Sequence, residues 1–567
     1  MKKFLLGFVI GIVFVGLLGV IVVFAAIRLG GRTPTVAANS ALVLHLEGDV
    51  PEQAPVDFPI PYFQDEPPQT VADVWRILQQ AAGDSRIKAL VLEPRDLSTG
   101  WAKLEELRAD ILAFKKSGKP VYAYLKSAGT HEYYLATAAD KIYMAPEDEL
   151  DVKGLRAELM FLKGTLDKLG VEMEFEHVGK YKDYPDQFTA TGPSKETLEY
   201  LNQILDQYYD NLIEVMAQGR KRTPVAIRAL IDEGPFVGKQ ALSGGLVDAL
   251  LFEDEMYDKV GNPAKIGDRS YAKATAGSSG GGKRIALITQ EGDITRGTDS
   301  DGGFSESGIT ASGAIRTMRE VEEDSAIQGV ILRINSPGGD GIASDDILHE
   351  AKRLSQKKPT VISMSDDAAS GGYFIAMTGD PVLAYSNTLT GSIGVFFGKV
   401  DLQELYKKIG LKKDLFTRGR FAAIDSEAKP LTGEERAKLR VEIEEFYQGF
   451  VQRVADGRKR RYDDIEPLAQ GRVWLGSQAK KNGLIDEIGG LDRAVALVKE
   501  RAKIGAAEKI TLVSYPPRRS LFDLLMNNKS GDSEMESQLR AVLGKMPIRL
   551  LARGGILQLM PFTLVVK

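Results

Sequence analysis

From Phe4 to Ile27 the chain reads FLLGFVIGIVFVGLLGVIVVFAAI, an apolar run without a single charge. A run of that length suits a helix crossing a hydrocarbon core, and it exceeds the roughly 7–15 apolar residues of a cleaved signal. FAA near its end offers only a weak cleavage site, so residues 1–34 are expected to form an uncleaved anchor. Lys2 and Lys3 favour a cytoplasmic N-terminus, with Arg28 and Arg32 beyond the run weakening the asymmetry. With one span, the rest of the chain is expected outside the cytoplasm. Past the anchor the pattern changes. Short β-branched runs such as GVILRIN (Gly329–Asn335) and PTVISM (Pro359–Met364) alternate with helical stretches such as ASDDILHEAKRLSQ (Ala343–Gln356). This alternation predicts βα units around a mostly parallel sheet.

The pattern occurs twice. At an offset of 240 positions Asp84-Ser85 meets Asp324-Ser325, Tyr133 meets Tyr373, Asp140 meets Asp380, and Gly154, Gly170 and Gly179 meet Gly394, Gly410 and Gly419. After a two-residue slip, GRKR recurs at Gly219 and Gly457, and GLVD at Gly245 returns as GLID at Gly483. Matched glycines in one register over such a length indicate a tandem duplication. The first α/β repeat is placed at 35–270 and the second at 285–513. Between them, residues 271–284 include AGSSGGGKR, the composition of a flexible linker. Residues 514–567 have no counterpart in the first half and read either as an amphipathic tail facing a partner or membrane, or as a packing appendage.

Composition narrows the chemistry. The chain of 567 residues is 43% hydrophobic and 27% charged, as expected of folded domains, and its net charge of -5 carries no signal for nucleic acid. It has no cysteine, which removes disulfides, thiolate metal sites and cysteine nucleophiles together. Neither HExxH nor a Walker-type phosphate loop is found, so no metal or nucleotide cofactor is expected.

The two copies differ where catalysis would need them to. Ser370, in DDAASGGY, stands opposite Thr130, and Gly371 and Gly372 stand opposite His131 and Glu132. The loop NSPGGD (Asn335–Asp340) becomes RDLSTG in the first copy. A serine among small residues and a paired-glycine loop after a strand both suit acyl transfer, because glycines let backbone N–H groups approach a developing oxyanion. Conversely, GKYKDY aligns with GRFAAI, so Lys182 faces Ala422, while Lys180 is matched by Arg420. Complementary loss suggests that Ser370 is the nucleophile and Lys182 its base, donated by the other repeat. The lysine would have to be neutral, which burial between domains can bring about. Of the four histidines only His177, five residues before Lys182, is a serious rival base; His45 sits in a strand-like run, His131 in the copy without the serine, and His349 on a polar helix. Each residue has a plain structural reading too: a serine beside Gly-Gly caps turns, and a lysine is ordinarily a solvated charge.

INSPGGD, AASGGY, TGSIGV and GKYK, on a duplicated α/β chain behind one span, resemble the signal peptide peptidases of the long, duplicated type, also called protease IV. The resemblance runs from the anchor to about residue 500. It implies a tandem crotonase/Clp protease-like fold and a membrane-anchored serine endopeptidase with a Ser-Lys dyad, acting on released signal peptides and similar hydrophobic peptides. Ser370 would be nucleophile and Lys182 general base. Ser392, opposite Val152, would orient the lysine, and amides of Gly371 and of Gly338 or Gly339 would form the oxyanion hole. It further implies a homotetramer at the inner membrane with its catalytic domains on the periplasmic side. Two other classes stay open: an acyl-transfer enzyme of the crotonase fold, and a membrane scaffold with a relic site.

Overall fold

In the computed structural model, residues 34–54, 68–276, 281–297, 308–517 and 556–560 are described. The expected N-terminal span lies outside them. Among the described residues no helix is long and apolar enough to cross a membrane.

Each repeat is built on a parallel sheet flanked by helices. In the first, strands Ala264–Gly267, Ser40–Glu47, Ile87–Arg95, Val121–Leu125, Lys141–Met144 and Ala249–Leu250 lie side by side in that order, all parallel. In the second, Ile510–Tyr515, Lys283–Glu291, Ile327–Ser336 and Thr360–Ala369 follow the same order, with Val382–Ala384 and Glu487–Ile488 completing the series. Even the register slips at matching places, between Ser40 and Ala41 and between Arg284 and Ile285. Smaller devices recur as well. Tyr133 Oη donates to the Leu246 carbonyl at 2.7 Å, and Tyr373 Oη to the Leu484 carbonyl at the same distance. Two 26-residue helices, Lys195–Arg220 and Gly433–Arg458, start from the hydroxyl caps of Ser194 and Thr432 and end at the left-handed Lys221 and Lys459.

The repeats share a core. Along the second sheet's strands Ile285, Leu287, Ile331 and Val361 join the buried cluster of the first repeat, while Ala286, Ile288, Val330, Leu332 and Ile362 face their own helices. The period of two thus explains why these strands are apolar on both faces: one face meets each repeat. The segment read as a linker is shorter than 271–284, because helix Asp268–Thr275 continues into it and the next strand begins at Lys283.

The copies part company after their sixth strand-like segment. In the first, Glu172–Val178 is a strand; in the second, Val395–Asp401 is. These two pair antiparallel along all their residues, from Val395 opposite Val178 to Asp401 opposite Glu172, and so stitch one repeat to the other. They form one end of a second sheet that also holds Gly338–Asp340 and the C-terminal strand Ile556–Leu559.

Candidate active site

The strand Thr360–Ala369 ends at Ser370, which has φ 54° and ψ −113°, and the helix Gly371–Ile375 starts directly after it. A serine in that region is strained, and it is held there from both sides. Its N–H donates to the Gly391 carbonyl at 2.7 Å, and its carbonyl accepts from the Phe374 N–H at 2.8 Å. The neighbouring strand Leu389–Gly391 delivers Ser392, also left-handed at φ 50°, whose N–H donates to the Arg472 carbonyl at 2.8 Å.

The glycines around the serine are there for close approach. A Cβ on Gly372 would stand 2.4 Å from the Ser336 carbonyl oxygen, so the helix after Ser370 can touch the loop only without a side chain. A Cβ on Gly371 would stand 3.1 Å from Gly338 Cα and 3.2 Å from the Gly339 nitrogen, so all three expected oxyanion glycines meet beside the serine. Gly338 and Gly339 adopt φ of 112° and 152°. Within that loop the Gly338 N–H donates to Ser336 Oγ at 3.2 Å.

Lys182 arrives from the first repeat, just beyond the strand Glu172–Val178. The Tyr181 N–H donates to the Gln470 carbonyl at 2.9 Å, which fastens the segment to the second repeat. The lysine stem then runs between two glycines. A Cβ on Gly471 would come within 2.6 Å of the Lys182 nitrogen, and one on Gly394 within 3.2 Å of Lys182 Cδ. At the end of that slot Nζ lies 2.7 Å from Ser370 Oγ, 3.0 Å from Ser392 Oγ and 3.1 Å from the Ser392 carbonyl oxygen. Lys182, Ser370 and Ser392 are all 0% exposed.

Electrostatics decides what this lysine is. Burial penalises the ammonium and pushes the Lys182 pKa far below the ordinary lysine value, with Asp183 pulling more weakly the other way. A neutral amine has two N–H groups and one lone pair. Its N–H groups are matched by the two Ser392 oxygens, which leaves the lone pair to accept from the Ser370 hydroxyl. Asp183 itself is tied back. Its carboxylate accepts from Tyr200 Oη at 2.8 and 2.9 Å and from Thr197 Oγ1, and burial pushes its pKa up. Both partners stand on the helix Lys195–Arg220, which thereby fixes the residue next to the lysine.

The other candidates lie elsewhere. Lys180 is exposed, its ammonium 4.7 Å from the centre of the Tyr181 ring. His177 is exposed with Nδ1 3.3 Å from the Gly179 carbonyl oxygen, and His45 pairs with Glu93 at 3.2 Å. His131 packs edge-on against Trp101, and His349 is exposed. In the first repeat the position matching Gly372 carries Glu132, whose carboxylate accepts the Leu97 N–H at 2.5 Å and the Gly129 N–H at 2.8 Å. Those two N–H groups are thus already taken by a carboxylate in the first copy. Sequence reasoning passed over Asp183, Gly394 as a contact, and Gly471. For Asp183 the signal was present, since its aligned position is Ala423, the same contrast that exposed Lys182.

Fold and site together define the class of the serine peptidases, and comparison with known proteins agrees. The chain belongs to peptidase family S49, whose description "Peptidase family S49" matches residues 113–267 and again 352–505, once in each repeat. It is 37% identical to "Serine protease SPPA, chloroplastic" of Arabidopsis thaliana over 83% of this chain and 71% of that protein. It is 32% identical to "Protease 4" of Salmonella typhi over 81% of this chain and 76% of that one. To "Protease 4" of Haemophilus influenzae it is likewise 32% identical, over 87% and 84%.

Proposed function

We propose that the chain is a membrane-anchored endopeptidase with a Ser370–Lys182 dyad that degrades cleaved signal peptides and similar hydrophobic peptides. The observation that carries this is the 2.7 Å approach of a buried lysine amine to a strained serine hydroxyl across the boundary between repeats. In the forward step Ser370 Oγ attacks the scissile carbonyl while Lys182 takes its proton. The amides of Gly371 and of Gly338 or Gly339 receive the oxyanion, and the lysine returns the proton to the leaving amine. Water then attacks the ester with Lys182 again as base, and Ser392 keeps Nζ aimed throughout. The scaffold is taken to be of the crotonase/Clp protease type. The run Phe4–Ile27 would hold it at the inner membrane with both repeats on the periplasmic side.

The pH profile tests the base. Lys182 must be uncharged to work, so activity falls as pH drops through its folded-state pKa, and burial places that point below the ordinary lysine value of about 10.4. For a hydrophobic fluorogenic peptide, kcat/KM should therefore rise along one acid limb and already be substantial at neutral pH. A rate that climbs only near the ordinary lysine range would remove Lys182 from the role.

Assembly belongs to the same proposal: copies of the chain close into a ring, as a homotetramer. The support is internal. Strand 172–178 of the first repeat pairs with 395–401 of the second. Carried across by the repeat offset, their counterparts are residues 412–418 and 155–161, neither of them within a described strand. Each presents a large exposed apolar side chain among exposed charged ones, Phe416 at 92% and Met160 at 69%. Pairing 412–418 of one copy with 155–161 of the next would repeat the internal joint between chains. Sedimentation of the detergent-solubilised protein should give four chains, and Phe416→Asp with Met160→Asp should give one. A wild-type monomer would end the ring proposal.

A further inference from the structure

Beside Lys182 the structure buries a carboxylate and surrounds it with hydroxyls instead of a cation. Asp183 is 8% exposed; its Oδ1 and Oδ2 accept from Tyr200 Oη at 2.9 and 2.8 Å, and Oδ2 accepts from Thr197 Oγ1. Thr197 Oγ1 lies 2.8 Å from Ser194 Oγ, so the start of the helix Lys195–Arg220 grips the group through a short column of hydroxyls. Burial pushes the Asp183 pKa up and Asp186 adds to that, while the donors from Thr197 and Tyr200 hold it down. Cations on the neighbouring elements are turned to other partners. His177 acts on Asp186, the Lys180 ammonium sits over the Tyr181 ring, and the Arg472 guanidinium lies 3.4 Å from Glu199 and 4.4 Å from the centre of the Trp474 ring.

Matching the two long helices by their caps sets Thr197 and Tyr200 opposite Glu435 and Lys438, and Asp183 stands opposite Ala423. Glu435 turns back on its own cap and accepts the Thr432 N–H at 2.8 Å, whereas Thr197, at the same place in its helix, turns to Asp183. The acceptor and both donors are thus absent from the copy that lacks the lysine, while the caps that the fold needs recur. A buried carboxylate with no cation is costly to the fold, but it is favourable wherever a cation forms next to it. The acylation step forms one. As Ser370 Oγ bonds to the scissile carbon, its proton passes to the Nζ lone pair, the carbonyl electron pair moves onto oxygen, and Lys182 becomes an ammonium in a dry slot. Asp183 gains and loses no proton. Among the described residues it is the charge that acts on Lys182 against burial. We propose that Asp183 is a positioning residue of the reaction, a fixed counter-charge that stabilises the ammonium Lys182 becomes when it takes the Ser370 proton. This rests on Lys182 as the base.

The test is the pH dependence of the full-length protein in detergent, read both as hydrolysis of a hydrophobic fluorogenic peptide and as the rate at which a fluorophosphonate labels Ser370. In Asp183→Asn, kcat and the labelling rate at the plateau should fall by about tenfold or more, with KM within about twofold of the parent. The direction of the pH shift follows from charge. Without the carboxylate the ammonium is less stable, so the lysine stays neutral to lower pH and the acid limb moves down. A variant that merely loosened the fold would let water reach the lysine and move the limb up, towards the ordinary lysine value. Tyr200→Phe keeps the carboxylate and removes a donor that favours its charged form, so rate should be lost at the acid end and regained as pH rises. An acid limb in Asp183→Asn that stays in place or moves up overturns the proposal, as does a Tyr200→Phe protein whose rate is lowered equally at every pH or at none. Should Asp183→Asn fail to fold, Tyr200→Phe decides the matter alone. The two readings fail apart: an unmoved limb in Asp183→Asn, with Lys182→Met inactive, removes Asp183 and keeps the dyad, whereas full activity in Lys182→Met removes both.

Discussion

Ser370→Ala and Lys182→Met are each expected to lower peptide hydrolysis by about 10⁴-fold or more, the scale seen when one member of a concerted nucleophile-and-base unit is lost. Both proteins should still fold and assemble. The hydroxyl of Ser370 is buried and bonded to the lysine, but the strained backbone that carries it is held by the Gly391 and Phe374 hydrogen bonds, which alanine keeps. Methionine at 182 keeps the stem lying between Gly394 and Gly471 while removing the amine, so a loss of rate cannot be blamed on an empty slot. It also tests the linkage. Because burial lowers the folded-state pKa of Lys182, the unfolded chain binds a proton there that the folded chain does not, at every pH between the two values. This residue's contribution to stability therefore rises with pH across that window, and Lys182→Met should remove the rise. Lys180→Ala, at an exposed position, should retain most of the activity. Full activity in Lys182→Met, or its loss in Lys180→Ala, would overturn the assignment of the base.

The second large effect is expected far from the chemistry, at Arg333→Met. Arg333 sits fully buried in the middle of Ile327–Ser336, with Nη2 2.7 Å from Glu52 Oε1 and 2.5 Å from Glu106 Oε2, and Nη1 2.8 Å from Ser363 Oγ. Both glutamates come from the first repeat, so this ionic group spans the shared core. Burial raises the Glu52 pKa, but the guanidinium outweighs it and the net shift is down. At Glu106 burial, reinforced by Glu52, wins and the net shift is up. Removing the arginine leaves Glu106 without a cation and Glu52 with only the pull of Lys103, in a dry interface. The cost of breaking such a buried pair is about 3–5 kcal/mol. Its sign with pH follows. Without Arg333 the folded-state pKa values of both glutamates rise above their unfolded values. The contribution to stability is then fully present below the unfolded pKa, about 4.3, and is lost as pH climbs through the folded one. Denaturant unfolding of Arg333→Met should therefore show a deficit at neutral pH that shrinks in mild acid. An equal deficit at both pH values would mean that lost packing, not the stranded carboxyls, is responsible.

How much of this could be read from the chain depends on the range of the forces involved. Local pattern carried the alternation of strands and helices, and self-similarity carried the duplication, because fold-bearing glycines and helix caps leave the same marks in both copies. Ser194 and Thr432, or Lys221 and Lys459, are such marks. The chemical candidates came from the same comparison turned round: Ser370 against Thr130 and Lys182 against Ala422 are differences that a shared fold does not require. Arg333 too faces a different residue in the first copy, Glu93, but that contrast does not name its partners. Inside GVILRIN it reads as one polar residue in an apolar strand, and nothing local says that Glu52 and Glu106 will meet it.

The sequence by itself, then, determined the repeated α/β scaffold and which side chains could serve as nucleophile and base, since periodicity, capping and aligned differences are properties of neighbours along the chain. Only the tertiary structure decided that Lys182 of one repeat reaches Ser370 of the other within the same chain. It alone also decided that Gly394 and Gly471 clear the way, and that Ile556–Leu559 pairs with Gly338–Asp340. The physical reason is that a buried amine's protonation, a glycine's clearance and a strand's pairing are set by what packs against them. Here those partners lie up to hundreds of residues away, where no local pattern can encode them.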